Sequence, residues 1–173
     1  YCECGWNKDG RTDERLPDAR ELSEALEAKL LTCKEEGVGI DSITFSGDGE
    51  PTLNPFFPEI IDITIALRDK YFPEAKVSVL SNATRIGKEE VFQALRKVDN
   101  PVLKIDAPSD DLAALVNQPY AGYHVEDVVR NLERFGGDFV LQTMFLKSAS
   151  FDSSSPEVLE GWMDIVRRLR PRE

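Results

Sequence analysis

Ile43-Thr44-Phe45-Ser46-Gly47-Asp48-Gly49-Glu50-Pro51-Thr52-Leu53-Asn54-Pro55 sets an apolar, β-branched run directly against two glycines, a carboxylate and a proline. A strand over Ser42 to Phe45 that runs into such a turn, and then into Asn54-Pro55 as a cap with proline at the first helical position, reads as the strand-to-helix connection of an α/β protein. Glycine lets the backbone N–H and C=O groups approach a ligand without a Cβ in the way. Glu50 then places a negative group beside that cradle. A phosphate loop carries Lys and Ser or Thr after its glycines, whereas Glu50-Pro51 stands here, so the turn suits an ammonium and not a nucleoside triphosphate. The same residues also make an ordinary tight turn. Its place after a buried strand, together with polar residues at other strand ends, favours a ligand site.

Working outward, apolar runs alternate with amphipathic segments, the order of parallel strands joined by helical crossovers. The strands read are Ser42 to Phe45, Lys76 to Leu80, Val102 to Ile105 and Phe139 to Phe145. Asp18 with Glu21 three residues on makes a capping box for a first helix that Gly37 closes. Phe57, Ile60, Ile61 and Leu67 face inward on the helix after Asn54, and Val91 and Leu95 on one over Lys88 to Val98. Ser109 caps a further helix. Val125, Val128, Val129, Leu132 and Phe135 keep helical spacing up to Gly136-Gly137, and Ser155-Pro156 opens a last helix with Leu159, Trp162, Ile165 and Leu169 inside. The expectation is one α/β domain over 1–173, a doubly wound sheet or a full or partial barrel. In all of these the ligand sits at the carboxyl ends of the strands. The candidates there are Ser46 to Glu50, Ser81-Asn82-Ala83-Thr84 and Asp106, with Lys104 and Gln142 inside their strands.

Composition narrows the function. The formal net charge of −11 over 173 residues repels phosphate backbones, and the one dense basic cluster, Arg167 to Arg172, reads as a helix end favoured by the dipole. No apolar run is long enough to span a membrane. Three cysteines do not build a disulfide framework and point to a reducing, cytoplasmic setting. Cys33 lies on the apolar stripe of the first helix and reads as a core thiol. Cys2 and Cys4, in Tyr1-Cys2-Glu3-Cys4-Gly5-Trp6, sit in a loop-like stretch where thiolates can reach a metal. Tyr1 follows no Met or leader-like segment and reads as a cut inside a longer protein. His124, the single histidine, reads as a residue at a helix start, and Ser109-Asp110-Asp111 as a cap with favourable first-turn charge. Tyr120 and Tyr123 belong to a polar aromatic turn that borders a substrate in the bolder reading.

Tyr1-Cys2 resembles the end of the C-x-x-x-C-x-Tyr-Cys loop of radical S-adenosylmethionine (SAM) enzymes. Gly47-Asp48-Gly49-Glu50-Pro51 resembles their Gly-Gly-Glu-Pro motif in its Ser-Gly-x-Gly-Glu-Pro-Thr-Leu form. Ser81-Asn82 and Lys104-Ile105-Asp106 look like that family's SAM-contacting strand ends.

The resemblance implies a partial (β/α)6 TIM-like barrel, lacking here its first strand and a last one. It implies a 4Fe-4S cluster on three cysteines, with Cys2 as the third ligand. SAM would chelate the cluster, and one electron, from a donor such as flavodoxin or ferredoxin, would cleave it to a 5′-deoxyadenosyl radical that abstracts hydrogen from a substrate. Gly47, Asp48, Gly49, Glu50 and Pro51 would form the cradle for the methionine ammonium. Ser81, Asn82, Lys104 and Asp106, with Gln142, would serve the methionine carboxylate or the ribose hydroxyls. The first two cysteines of the triplet are absent, so the fragment alone is expected to be inactive, and its uncovered strand edges to favour a dimer. The motif variant is similar to that of Fe-S oxidoreductases related to tRNA-wyosine-type enzymes, with a glycyl-radical enzyme activase as the competing reading within the class. A non-catalytic βα domain that binds a small molecule or a protein is the alternative outside it.

Overall fold

Asp18 starts the first helix, α1 (Ala19–Glu35), with a reciprocal cap: its carboxylate accepts the Glu21 amide at 2.9 Å, and the Glu21 carboxylate accepts the Asp18 amide at 3.0 Å. Two of the donors that a helix start leaves orphaned are thereby satisfied. Strand β1 (Ser42–Phe45), a 3-10 turn (Pro51–Leu53), α2 (Phe57–Tyr71), β2 (Lys76–Ser81), α3 (Glu89–Leu95) and β3 (Asn100–Lys104) follow. The order continues through α4 (Asp110–Val116), α5 (Val125–Glu133), β4 (Val140–Gln142) and α6 (Pro156–Leu169). This computed structural model describes residues 16–46, 49–119 and 122–173. The class is α/β with parallel strands, as the alternation of patterns requires.

The described residues divide into two compact units, one of residues 16–81 with 88–101, the other of 82–87 with 102–173. In the first, β1 and β2 pair in parallel from Ser42 opposite Lys76 to Phe45 opposite Val79. Leu30 and Cys33 of α1, Phe57, Ile60, Ile61 and Leu67 of α2, Val77 and Val79 of β2, and Val91 and Leu95 of α3 are buried there. Each fully buried side chain of this size contributes roughly 1.5–3 kcal/mol. In the second unit, β3 and β4 pair in parallel from Val102 opposite Val140 to Lys104 opposite Gln142. Its buried residues include Leu103, Ile105, Phe139 and the α5 stripe of Val125, Val128, Val129 and Leu132.

Three sequence expectations shift. Helix α2 begins at Phe57 and not at Pro55, because Pro51 opens a 3-10 turn and the Asn54 carboxamide is spent on the Phe56 amide at 2.8 Å. Strand β4 ends at Gln142 and not at Phe145. There the Thr143 hydroxyl donates to the Ile105 carbonyl at 2.7 Å and the Met144 amide to Asp106 at 2.9 Å, so side chains replace the ladder. On α6 only Leu169 is fully buried; Trp162 is half-buried, donating its indole N–H to Thr143 at 3.0 Å and meeting Phe145 edge to face.

The chain beyond α6 turns at Arg170, in the left-handed region at φ +48, and runs beside β4. The Arg172 amide donates to the Gly137 and Phe139 carbonyls at 2.9 and 3.1 Å, and the Leu141 amide to the Glu173 carbonyl at 2.8 Å. Among the described residues, no helix is long and apolar enough to cross a membrane.

Candidate functional site

In the first unit, β1 delivers the chain to Gly49, which sits at φ +109, a conformation that a side chain resists. No atom lies within 4 Å of where a Cβ would be, so conformation and not space calls for glycine. Glu50 follows with one carboxylate oxygen accepting three hydrogen bonds: from the Thr52 amide at 3.1 Å, the Thr52 hydroxyl at 2.6 Å and the Ser81 hydroxyl at 2.8 Å. Thr52 and Ser81 are buried, at 3% and 4% exposure, so the donors are fixed in place. Pro51, next in the chain, sets the 3-10 turn that brings Thr52 round. Gly49, Glu50 and Pro51 border a cleft of about 260 Å³ whose apolar walls include Leu22, Phe45, Phe57 and Ile60. Gly47 and Asp48, like Cys2 and Cys4, lie outside the described residues.

Asn82, Lys104, Asp106 and Gln142 belong to the second unit. Asn82 turns its carboxamide oxygen back on its own loop, to the Thr84 amide at 3.0 Å and hydroxyl at 2.7 Å, with Ala83 at φ +61 between them. Asp106 is 5% exposed. It accepts the Met144 amide at 2.9 Å and the Asn117 carboxamide at 2.7 Å, and the Lys104 ammonium stands 3.4 Å away. Gln142 is in register with Lys104, and its carbonyl accepts the Ile105 amide at 3.1 Å. Structure thus joins Glu50 with Ser81, and Lys104 with Asp106, each pair within its own unit.

Sequence reading missed Thr52 and Asn117 as the donors that hold these two carboxylates. Thr52 stands in the same motif as Glu50, two residues on, and was open to discovery there. Asn117 lies at the end of α4, eleven residues from Asp106, where no local pattern speaks for it.

A second, larger cleft of about 410 Å³ lies where α4 and α5 begin, bordered by Asp110, Asp111, Gln118, Tyr123 and His124. His124 Nδ1 is 2.8 Å from Asp110 Oδ2, and the other Asp110 oxygen accepts the Val125 amide at 2.7 Å. The hydrogen bond to Asp110 holds the His124 imidazole above its ordinary value, and His124 with the Val125 amide holds Asp110 below its own. Burial, then the charges of Asp106 and Asp110, push the Tyr123 phenol up to about 12. The acidic run after Ser109 is therefore more than a first-turn charge: Ser109 caps α4 as expected, while Asp110 reaches the start of α5. Among the described residues, no group of three or more His, Cys, Asp or Glu is arranged to hold a metal ion.

Comparison with known proteins bears on the family of the chain. The family model of the radical SAM superfamily matches residues 1–147. A UPF0026 protein of Synechocystis is 32% identical over 138 residues, which is 78% of this chain and 48% of that protein. Another, from Methanocaldococcus jannaschii, is 23% identical over 163 residues, 88% of this chain and 48% of its own length. A protein named GTPase Obg from Brachyspira hyodysenteriae is 27% identical over 176 residues, 99% of this chain but 24% of its own. The chain spans about half the length of the two UPF0026 relatives, and about a quarter of the third. It contains no G-x-x-x-x-G-K-[ST] loop, so the word GTPase stays with that relative. Since the family match runs through the strand ends of β1, β2, β3 and β4 alike, this chain belongs to the radical SAM superfamily, and its βα units to that superfamily's partial TIM-like barrel.

Proposed function

We propose that the whole protein is a radical SAM oxidoreductase, in which a 4Fe-4S cluster supplies the electron that cleaves SAM and so starts hydrogen abstraction from a substrate. Residues 1–173 serve in it as one core domain that holds the cofactor. The observation that carries this reading is Glu50, a carboxylate aimed by three neutral donors beside a glycine held at positive φ. A carboxylate fixed beside that glycine offers a negative group and acceptor atoms, which suit a methionine ammonium.

The residues present fit SAM. Gly49 and Glu50, with Gly47, Asp48 and Pro51 around them, hold the ammonium. Ser81 serves by aiming Glu50, since its hydroxyl is donated there. Lys104 offers a cation for the methionine carboxylate, and Asn82, Asp106 and Gln142 offer partners for the ribose hydroxyls. The donor set for the cluster does not fit in this chain alone. Three thiolates are needed, and besides Cys2 and Cys4 the sequence holds only Cys33, which is 7% exposed within α1. We assign Cys2 as one ligand and expect its partners three and seven positions upstream of it in the whole protein. A flavodoxin or ferredoxin as electron donor, and a reducing cytoplasmic setting, follow from the same reading.

Two measurements test it. The full-length protein, reconstituted anaerobically with iron and sulfide and given a reductant, is expected to convert SAM to 5′-deoxyadenosine; no product from a protein with its cluster loaded overturns the reading. In the present chain, SAM is expected to shift the amide resonances of Gly49 and Glu50. Glu50→Gln keeps an acceptor for Thr52 and Ser81 and so changes stability by less than about 1 kcal/mol, yet weakens SAM by about tenfold or more through the lost charge. Equal affinity in the two proteins leaves a non-catalytic βα binding domain as the better description.

A further inference from the structure

Among the described residues, two buried side-chain nitrogen or oxygen atoms have no hydrogen-bond partner: the Thr64 hydroxyl of α2 and Nε of Arg85. A hydroxyl is neutral, and leaving it unpaired costs little beside leaving a guanidinium so. Arg85 lies in the loop between β2 and α3, three residues past Asn82 and at the carboxyl end of its strand. It makes no ion pair or hydrogen bond with any other described residue. The structural arginine of this chain is treated quite differently. Arg68 has Asp69 at 2.7 Å, Asp99 at 2.8 Å and the Ala75 carbonyl at 2.7 Å. The loop on either side of Arg85 is packed without supplying any such partner. Ala83 and Ile86 are buried, the Thr84 hydroxyl is spent on Asn82, and a Cβ on Gly87 would come within 3.3 Å of the Asn131 carboxamide of α5. Arg85 as a whole is half-buried, at the border of the protein and not in its core.

We propose that Arg85 anchors a carboxylate of the substrate, so that the reaction proposed above acts on an organic acid. A buried cation without a partner is destabilising, and a bound anion removes that cost by supplying the missing acceptor. Nε and the neighbouring terminal nitrogen of a guanidinium form a two-donor edge that matches the two oxygens of a carboxylate. One cation balances one carboxylate, whereas a phosphate group brings roughly 1.5–2 negative charges to a chain whose formal net charge is already −11. The same net charge repels anions in general, so a site for one needs a cation of its own, held in place as Arg85 is. Ligands of βα folds bind at the carboxyl ends of the strands, where this loop stands. Lys104 is assigned above to the methionine carboxylate, which leaves Arg85 for a second acid. Binding of that acid stands on the second unit alone, to which residues 82–87 belong; calling it the substrate rests on the function proposed above.

The test is a titration of the isotopically labelled chain with succinate, read at the Arg85 Nε–H resonance and at the amides of Ile86 and Gly87. A saturable shift is expected, with a Kd on the order of millimolar; no saturable shift overturns the assignment. Arg85→Met removes the charge and the donors. Without ligand it should raise the midpoint of urea unfolding, because a buried donor that has no partner is gone, and it should weaken succinate by about tenfold or more. A lowered midpoint makes Arg85 a structural residue, and unchanged succinate affinity places the binding elsewhere; either result overturns the assignment. Arg85→Lys, which keeps the charge but not the two-donor edge, should bind succinate about threefold to tenfold more weakly than the parent. Inorganic phosphate should bind more weakly than succinate, and tighter binding overturns the choice of a carboxylate. SAM titrated into the same sample is read at Gly49 and Glu50. If SAM moves the Arg85 Nε–H resonance and excludes succinate, the residue serves the methionine carboxylate and the assignment falls. If succinate binds and SAM does not, the acid site stands while the reading of Glu50 fails.

Discussion

Asp99 and Glu50 grip the same strand at opposite ends and by opposite means. At the entry of β2, Asp99 accepts the Val77 amide at 2.9 Å and the Arg68 guanidinium at 2.8 Å, and Arg68 also bonds the Ala75 carbonyl at 2.7 Å. Burial works against the Asp99 charge, but the Val77 amide and Arg68 more than offset it, and the carboxyl is held below its usual range. At the exit, Glu50 reaches the Ser81 hydroxyl, and the two Thr52 donors that share its oxygen are neutral as well. One carboxylate binds a guanidinium and a strand amide, and the other gathers the hydroxyls and amide of a turn. That division matches the general asymmetry of βα folds, where the amino ends of strands carry stability and the carboxyl ends carry chemistry.

The contrast can be broken by mutation. Asp99→Ala should have the largest effect, about 2–3 kcal/mol, because it takes from Arg68, with a side chain 12% exposed, one of its two carboxylate partners and strips the Val77 amide of its acceptor. Urea unfolding with an unchanged m-value measures it. SAM affinity should not change; a variant that loses the cofactor but keeps its stability reverses the comparison. The pH dependence has a fixed sign. A carboxyl whose folded pKa is lowered adds stability that is whole above its unfolded value, about 4, and is lost as pH falls through the folded value. Asp99→Asn should flatten the acid limb of the stability curve there.

Ser81→Ala sharpens the comparison from the other side. It removes one of three donors to Glu50 and should cost about 1 kcal/mol, with a weaker SAM response at Gly49. A loss as large as that of Asp99→Ala would make the exit of β2 as structural as its entry. The smallest expected effect lies in the second unit, where Asp106→Asn should lower the Tyr123 phenol from about 12 by removing one of the charges that raise it. Phenolate absorbance in an alkaline titration reads this. Because the folded phenol ionises later than the unfolded one, its contribution is complete below pH of about 10 and is lost toward 12.

Much of this was legible from local pattern. Strand β1 has the bounds its sequence suggests, Asp18 and Glu21 form their box, and the α5 stripe is buried at each expected position, because each feature is decided by residues within a few positions of one another. The turn that holds Gly49 at positive φ with Glu50 beside it was legible for the same reason. What escaped lies at long sequence separation. Asn117 on Asp106, His124 on Asp110 and the shortening of β4 by Thr143 and Met144 depend on partners 11, 14 and 38 residues away. Helix α6 misled differently: its apolar stripe has the right period, but period alone does not say that a partner covers it.

The run of residues 170–173 beside β4 sets an order in time. The carbonyls of Gly137 and Phe139 and the amide of Leu141 take their partners from Arg172 and Glu173, about thirty residues later in the chain. A ribosome making this stretch releases everything in the first unit, up to residue 101, while β4 still waits for the bonds that secure it. The half that presents Glu50 can therefore mature during translation, and the half that holds Asp106 and the second cleft becomes fully protected only after the last of these residues has emerged.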